Sequence, residues 1–324
     1  MKKFLIIQTA FIGDVILATP LIEKIHDYYK DAEIDFLLRK GNESLFDNHP
    51  KLNKVLIWDK KTSKYPNLFK LIKQVRENKY DLVINIQRFA STGFLTWLSK
   101  GKLKVGFEQN PFSFAYDNKY KVFFNEGKHE TERNLTLLAD YGDTVYFKPK
   151  LYPNENNFKN IASFIKDDFV VIAPASVWYT KQFHKDKWIE LINKLGEKKV
   201  ILMGAPSDSD LCNEIISKIE HKNIINLAGK LSFLDSAELM RHAKMNYVND
   251  SAPMHLASSV NAATTAIYCS TIPGFGFGPL SHNSKIIEIE TPLECRPCGL
   301  HGKKACPEGH FDCAMKININ KMLV

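Results

Sequence analysis

The chain has 324 residues, 44% of them hydrophobic and 25% charged, so it has enough apolar material for two cores of about 150 residues each. No stretch approaches the roughly 20 apolar residues that a membrane-spanning helix needs, and no low-complexity run or internal repeat stands out. The net charge of +8 is uneven: residues 1–150 hold 25 Lys+Arg against 18 Asp+Glu, and residues 151–324 hold 19 against 18. That asymmetry is either lysine-rich surface or a first half that meets something anionic, a membrane surface or a phosphorylated substrate. Nucleic acid is disfavoured, because neither a binding motif nor a dense arginine cluster accompanies the lysines.

Two lysines precede an apolar run at the start of the chain, but Gln8 and Thr9 interrupt it, Asp14 follows, and no small-residue cleavage site ends it. The segment reads as a buried strand, a loop and a helix, and the protein is expected to stay in the cytoplasm. Further strands are expected at Glu33–Leu38, Lys54–Trp58, Asp81–Ile86 and Leu103–Phe107, after a first one at Lys3–Gln8. Between them lie helical patterns, among them Val15–Tyr29, with Asp14 as its N-cap. The pattern weakens from Tyr141 to Asn157, which contains Gly142, Pro149 and Pro153 and reads as a linker. A second alternation follows: strands at Phe169–Ala173, Lys199–Met203, Asn223–Asn226, Met245–Asn249 and Thr264–Tyr268. Its helices are expected at Lys185–Leu195, Ser207–Ile219, Phe233–Ala243 and Pro253–Ser259. The fold class is therefore α/β, two Rossmann-like domains, 1–150 and 151–324, whose ligands bind beyond the carboxyl ends of the strands.

The candidate functional segments fall at those strand ends. Thr9–Asp14 joins the first strand to the first helix; Gly13 permits close backbone approach, and the helix start exposes free N–H groups. The segment lacks the G-x-G-x-x-G spacing of dinucleotide sites. Asp14 is either a cap or a catalytic carboxylate. In Ala173–Phe183, Lys181 can meet a phosphate as a point charge, with Ser176 and Thr180 adding hydroxyls; the alternative is a solvated loop lysine. In Asn249–His255, small residues at a helix N-terminus make an anion cradle, while His255 reads as a packed helix residue. A glycine-rich stretch, Ser270–Pro279, suits a flexible loop at the same rim.

The stretch Gly13-Asp14-Val15-Ile16-Leu17-Ala18-Thr19-Pro20 resembles the opening signature of family 9 glycosyltransferases, the heptosyltransferases. The Pro174–Phe183 and Asn249–His255 segments and His129-Glu130-x-x-Arg133-Asn134 resemble that family too, in its order. The resemblance implies a GT-B fold, an ADP-heptose donor on the second domain, a lipid A–Kdo-type glycolipid acceptor on the first, and inverting transfer without a metal or other cofactor. It implies Asp14 as general base, Lys181 on the donor phosphates with Ser176 and Thr180 nearby, and Asp250, Ser251 and Ala252 as the nucleotide cradle. Thr9, Gly13 and Arg133 would face the acceptor. The enzyme would work at the inner face of the cytoplasmic membrane as a peripheral protein. Gln8 stands where some members carry lysine, and Ala10-Phe11 where some carry serines.

One carboxylate suffices for such a transfer, whereas a glycosidase needs two flanking the bond, and no second acid is evident beside Asp14. Other readings are a nucleotide-sugar epimerase and a non-catalytic sugar-nucleotide or lipopolysaccharide binding module. Cys295, Cys298, Cys306 and Cys313, with His301 and His310 nearby, have a spacing that fits a structural zinc or iron–sulfur site or, alternatively, free thiols in a packed tail.

Overall fold

The computed structural model describes residues 2–124, 126–142 and 145–323. The chain divides into two compact units, Met1–Tyr152 and Pro153–Val324.

In the first unit, β1 (Lys3–Ile7) leads into two short helices, α1 (Ile12–Ile16) and α2 (Thr19–Tyr28), then β2 (Glu33–Arg39) and β3 (Lys54–Trp58). There follow α3 (Lys64–Asn78), β4 (Leu82–Asn85), α4 (Ala90–Leu98), β5 (Leu103–Phe107), β6 (Asn118–Tyr120) and α5 (Glu130–Thr136). All six strands are parallel, in the order β3-β2-β1-β4-β5-β6. Phe4 to Ile7 and Leu82 to Ile84 are buried apolar runs rather than alternating ones, because helices cover both faces of a parallel sheet.

The second unit contains α6 (Glu155–Ile161), β7 (Phe169–Ala173), α7 (Lys185–Leu195), β8 (Lys199–Leu202), α8 (Ser209–Ile216), β9 (Ile224–Asn226) and α9 (Phe233–His242). It continues with β10 (Met245–Asn249), α10 (Ala252–Ser259), β11 (Thr264–Tyr268), β12 (Ser284–Glu288) and α11 (Asp312–Met315). Its strand order is β12-β11-β10-β7-β8-β9, the same winding as in the first unit, again parallel throughout. In each sheet the chain reverses its direction of winding once, between β1 and β4 and between β7 and β10. Loops that leave neighbouring strands at such a point diverge to opposite faces and leave a crevice for ligand. Among the described residues, no helix is long and apolar enough to cross a membrane.

Three expectations need correction. The helix expected at Val15–Tyr29 is broken at Leu17 and Ala18, because Pro20 has no N–H to give the carbonyl of Ile16. The hydroxyl of Thr19 donates to that carbonyl instead (2.7 Å), and the Asn134 amide donates to the carbonyl of Leu17 (3.0 Å). Asp14 is not the N-cap, since Phe11 occupies that position and Asp14 sits in the first turn of α1. The weak-pattern stretch 141–157 ends earlier than expected, because Asn154 caps α6 by accepting from the N–H groups of Asn156 and Asn157; residues 143 and 144 lie outside the described residues. The edge strands β6 and β12 went unforeseen, being short and largely exposed or half-exposed.

Candidate functional site

In the first unit the site forms where the loops after β1 and β4 leave the sheet. The Gln87 amide donates to the Gln8 side-chain oxygen, which also accepts from the N–H of Ala10, so the two loops are tied together. Asp14 projects from α1 and accepts from its own N–H and that of Phe11. The carboxyl is nonetheless pushed up to about 6, first by burial and then by the nearby charge of Glu130; the two N–H groups and Arg88 oppose the rise only in part. Glu130 is thus a second acid beside Asp14, contrary to the expectation of a solitary carboxylate. It is ion-paired with buried Arg133 (2.8 Å), which also donates to the Lys128 carbonyl (2.6 Å). Arg133 therefore holds Glu130 from within the fold.

Thr9 is buried, and its carbonyl and hydroxyl accept from the Lys60 ammonium at 3.1 and 2.9 Å. Gly13 is helical, its carbonyl accepting from the N–H of Leu17. Around this loop stand three half-buried cations: Arg39 over the Phe11 ring (4.6 Å), Arg88 over the Phe124 ring (4.8 Å), and Lys60; sequence reasoning assigned neither arginine. None of the three is ion-paired among the described residues. Burial and the charges of Arg39 and Lys64 pull the Lys60 ammonium down to about 8. Arg39 and Lys60 lie close enough to repel, and Arg39 and Arg88 each feel the Asp14 charge, so this loop offers positive charge to an anionic ligand.

In the second unit the site forms where the loops after β7 and β10 diverge. Lys181 pairs with buried Asp250 at 2.6 Å, and the Thr271 hydroxyl donates to the same carboxylate oxygen at 2.6 Å. An ammonium has three hydrogens, so Lys181 keeps donors for a phosphate. Ser251 stands at the N-cap position of α10 and Ala252 is its first residue, so their N–H groups are not used by the helix. Ser176 lies half-buried in the loop after β7, its carbonyl accepting from the Gln182 amide. Thr180 does something else. It is buried, and its hydroxyl accepts from the Lys303 N–H (2.7 Å) and the Ser270 hydroxyl (2.9 Å), so it anchors the C-terminal segment.

Asn249, just before Asp250, was missed as a site residue. Buried at the end of β10, it accepts from the Phe183 N–H (2.8 Å) and donates to the Pro174 carbonyl (2.9 Å), which fixes the course of the lysine-bearing loop. The signal for it was an amide at a strand end next to an acid. His255 is buried in α10, as a packed helix residue should be.

The cysteine tail is fastened to these loops. Arg296 donates to the carbonyls of Cys269 (2.7 Å) and Thr271 (2.6 Å) and pairs with Glu288 (2.7 Å). Gly302, at a φ of +76°, packs so closely that an added Cβ would lie 2.9 Å from Cγ of Lys181. Cys295, Cys298, Cys306 and Cys313 line one cavity of about 380 Å³ with His310. Burial pushes the Cys313 thiol up to about 12 and raises Cys298 as well. Among the described residues, no three His, Cys, Asp or Glu side chains are placed to hold a metal ion.

The sequence profile of glycosyltransferase family 9 (heptosyltransferase) matches residues 68–308. The chain is 30% identical over 278 residues to lipopolysaccharide heptosyltransferase 3 of Escherichia coli K12, covering 80% of each chain. In fold it is similar to E. coli ADP-heptose lps heptosyltransferase II, with a TM-score of 0.78 and 20% identity over 92% of this chain and 96% of that one. It is likewise similar to E. coli heptosyltransferase WaaC with ADP, with a TM-score of 0.77 and 18% identity over 99% and 97%. With its two identically wound sheets and a strand-end site in each, the chain belongs to glycosyltransferase family 9, the heptosyltransferases.

Proposed function

We propose that this glycosyltransferase moves heptose from ADP-heptose to an anionic sugar of the lipopolysaccharide inner core, with inversion at the anomeric carbon and without a metal. The acceptor is held on the first unit and the donor on the second. The carrying observation is Asp14, a carboxylate whose burial raises it to about 6 although the Arg39 and Arg88 guanidiniums stand within reach of its charge. Such a group is mostly ionised at neutral pH yet more basic than an ordinary aspartate, which suits a general base.

The acceptor hydroxyl gives its proton to Asp14 while its oxygen bonds to the anomeric carbon. The bond from that carbon to the diphosphate breaks, and ADP leaves with the electron pair. Lys181 and the first N–H groups of α10 meet the charge that develops on the leaving phosphate. A single displacement inverts the centre. Arg39, Lys60 and Arg88 provide the attraction for acid groups on the acceptor. Because that acceptor is lipid-linked, the enzyme works as a peripheral protein at the inner face of the cytoplasmic membrane.

The test offers ADP-heptose and other nucleotide sugars, first for binding and then for transfer to truncated core acceptors. Transfer should require an acceptor and be strongest with ADP-heptose. A sugar altered without acceptor would instead indicate an epimerase, and binding with no turnover would indicate a binding module.

A further inference from the structure

The first unit carries a cluster of aromatic side chains that the site above does not use. Phe94 and Trp97 of α4 meet Phe69 of α3 and two rings from the segment after β5, Phe112 and Phe114. Ring-centroid distances run from 5.7 Å (Phe94–Phe112) to 6.3 Å (Phe69–Phe94). Rings in such a cluster normally disappear into a core. Here Phe114 is 68% exposed, Phe69 59% and Trp97 45%. One contiguous aromatic face on the surface is unlike the scattered apolar residues that ordinary surfaces carry.

The face is built rather than accidental. Gly93 lets the segment after β5 lie against α4, since a Cβ there would come within 2.9 Å of Cβ of Phe112. The Asn110 amide donates to the Gln87 carbonyl (2.8 Å), and its oxygen accepts from the Phe112 N–H (2.9 Å). Arg76 of α3 donates to the Leu98 carbonyl at the end of α4 (2.6 Å). These bonds hold the rings in place before any partner arrives.

Charge identifies the partner. Helix α3 carries four Lys+Arg (Lys64, Lys70, Lys73 and Arg76) against one acid, Glu77, and α4 carries no acid at all. Lys70 and Lys73 follow Phe69 within one turn of α3, Lys100 lies three residues beyond Trp97, and all three are exposed. A second copy of the chain would bring like charges together across such a face. An anionic bilayer offers what the face lacks: phosphates for the lysines and a headgroup boundary for aromatic rings.

We infer that the Phe69–Trp97–Phe114 face docks on an anionic lipid surface. The inference rests on the reading of a membrane-anchored acceptor and assigns the docking to particular residues. Partition of the full chain into vesicles, with neither donor nor acceptor present, tests it. Phosphatidylcholine vesicles with and without about one third phosphatidylglycerol would be compared by sedimentation and by the fluorescence of Trp97. The parent should bind the anionic vesicles preferentially, and W97S/F114S should bind them at least about tenfold less while keeping its ADP affinity. Absence of parent binding, or a double variant that binds as well as the parent, would overturn the inference. So would a lipid-independent dimer that the double variant abolishes. Transfer to a delipidated acceptor separates the two readings. Turnover without vesicle binding sinks only the docking face, and vesicle binding without turnover sinks only the proposed reaction.

Discussion

Asp14→Asn should make the protein more stable and nearly inactive. The carboxyl ordinarily titrates near 3.8 but reaches about 6 in the fold. Its ionised form is therefore disfavoured, and the folded protein binds the proton more tightly than the unfolded chain. At pH 4 and below the folded carboxyl is protonated and the penalty is small. It grows as pH rises from the unfolded value toward the folded one and levels off above about pH 6, at about 3 kcal/mol at pH 7 by linkage. An asparagine carries no charge, and its oxygen can still accept from the two N–H groups at the start of α1. Allowing about 1 kcal/mol for weaker hydrogen bonds leaves a gain of roughly 2 kcal/mol, or a Tm higher by about 4–8 °C in a unit of this size. Turnover should fall about 10²–10⁴-fold, the contribution expected of a general base. Thermal unfolding of both proteins from pH 4 to 8, with initial rates, checks this: the Tm difference should be small at pH 4 and open through pH 6. A variant that is less stable at neutral pH, or one that keeps its rate within about threefold, would refute the reasoning.

The pH profile of kcat/KM should rise with a midpoint near 6 as Asp14 loses its proton and fall near 8 as Lys60 loses its charge; Lys60→Arg, always charged, should remove the alkaline fall and leave the acid limb unmoved. Lys181→Met should weaken ADP by about 10–100-fold in calorimetry while adenosine, lacking phosphate, changes little; equal losses would deny the phosphate contact. Asn134→Ala should cost about 1–3 kcal/mol in denaturant unfolding, because it leaves the Leu17 carbonyl without its donor at the break between α1 and α2.

The second sheet was the more legible from sequence, because Phe169–Ala173 and Thr264–Tyr268 are buried throughout and read as uninterrupted apolar or β-branched runs. The positions of Asp14, Lys181 and Asp250 were legible because each follows the end of a strand, the side on which folds wound this way take ligands. The remainder depends on partners far away in the chain. Glu130 comes beside Asp14, and Asn134 below it, only because α5 packs back on the first helices; Arg39 and Lys60 come together because β2 and β3 are neighbours, while β4, on the other side of β1, brings in Arg88. Thr180 looked like a ligand hydroxyl because its partner, Lys303, is 123 residues distant. Pro20 was compatible with a helix start, so the pattern alone did not reveal that the helix begins twice.

The fastening of the cysteine tail has a consequence for the order in which the enzyme matures during synthesis. The core of the second unit includes Phe311, Ile317, Ile319 and Met322, and the Tyr247 hydroxyl of β10 donates to the Met322 carbonyl (3.1 Å). The loop that carries Lys181 is likewise fastened to the tail, through the hydrogen bonds between Thr180 and Lys303. The first unit can close as soon as Tyr152 has left the ribosome, but the second cannot close its core until the residues through Met322 have emerged. A nascent chain would therefore pass through a stage in which the first unit, with its aromatic surface, is folded while the loops that carry Lys181 and Asp250 are still open.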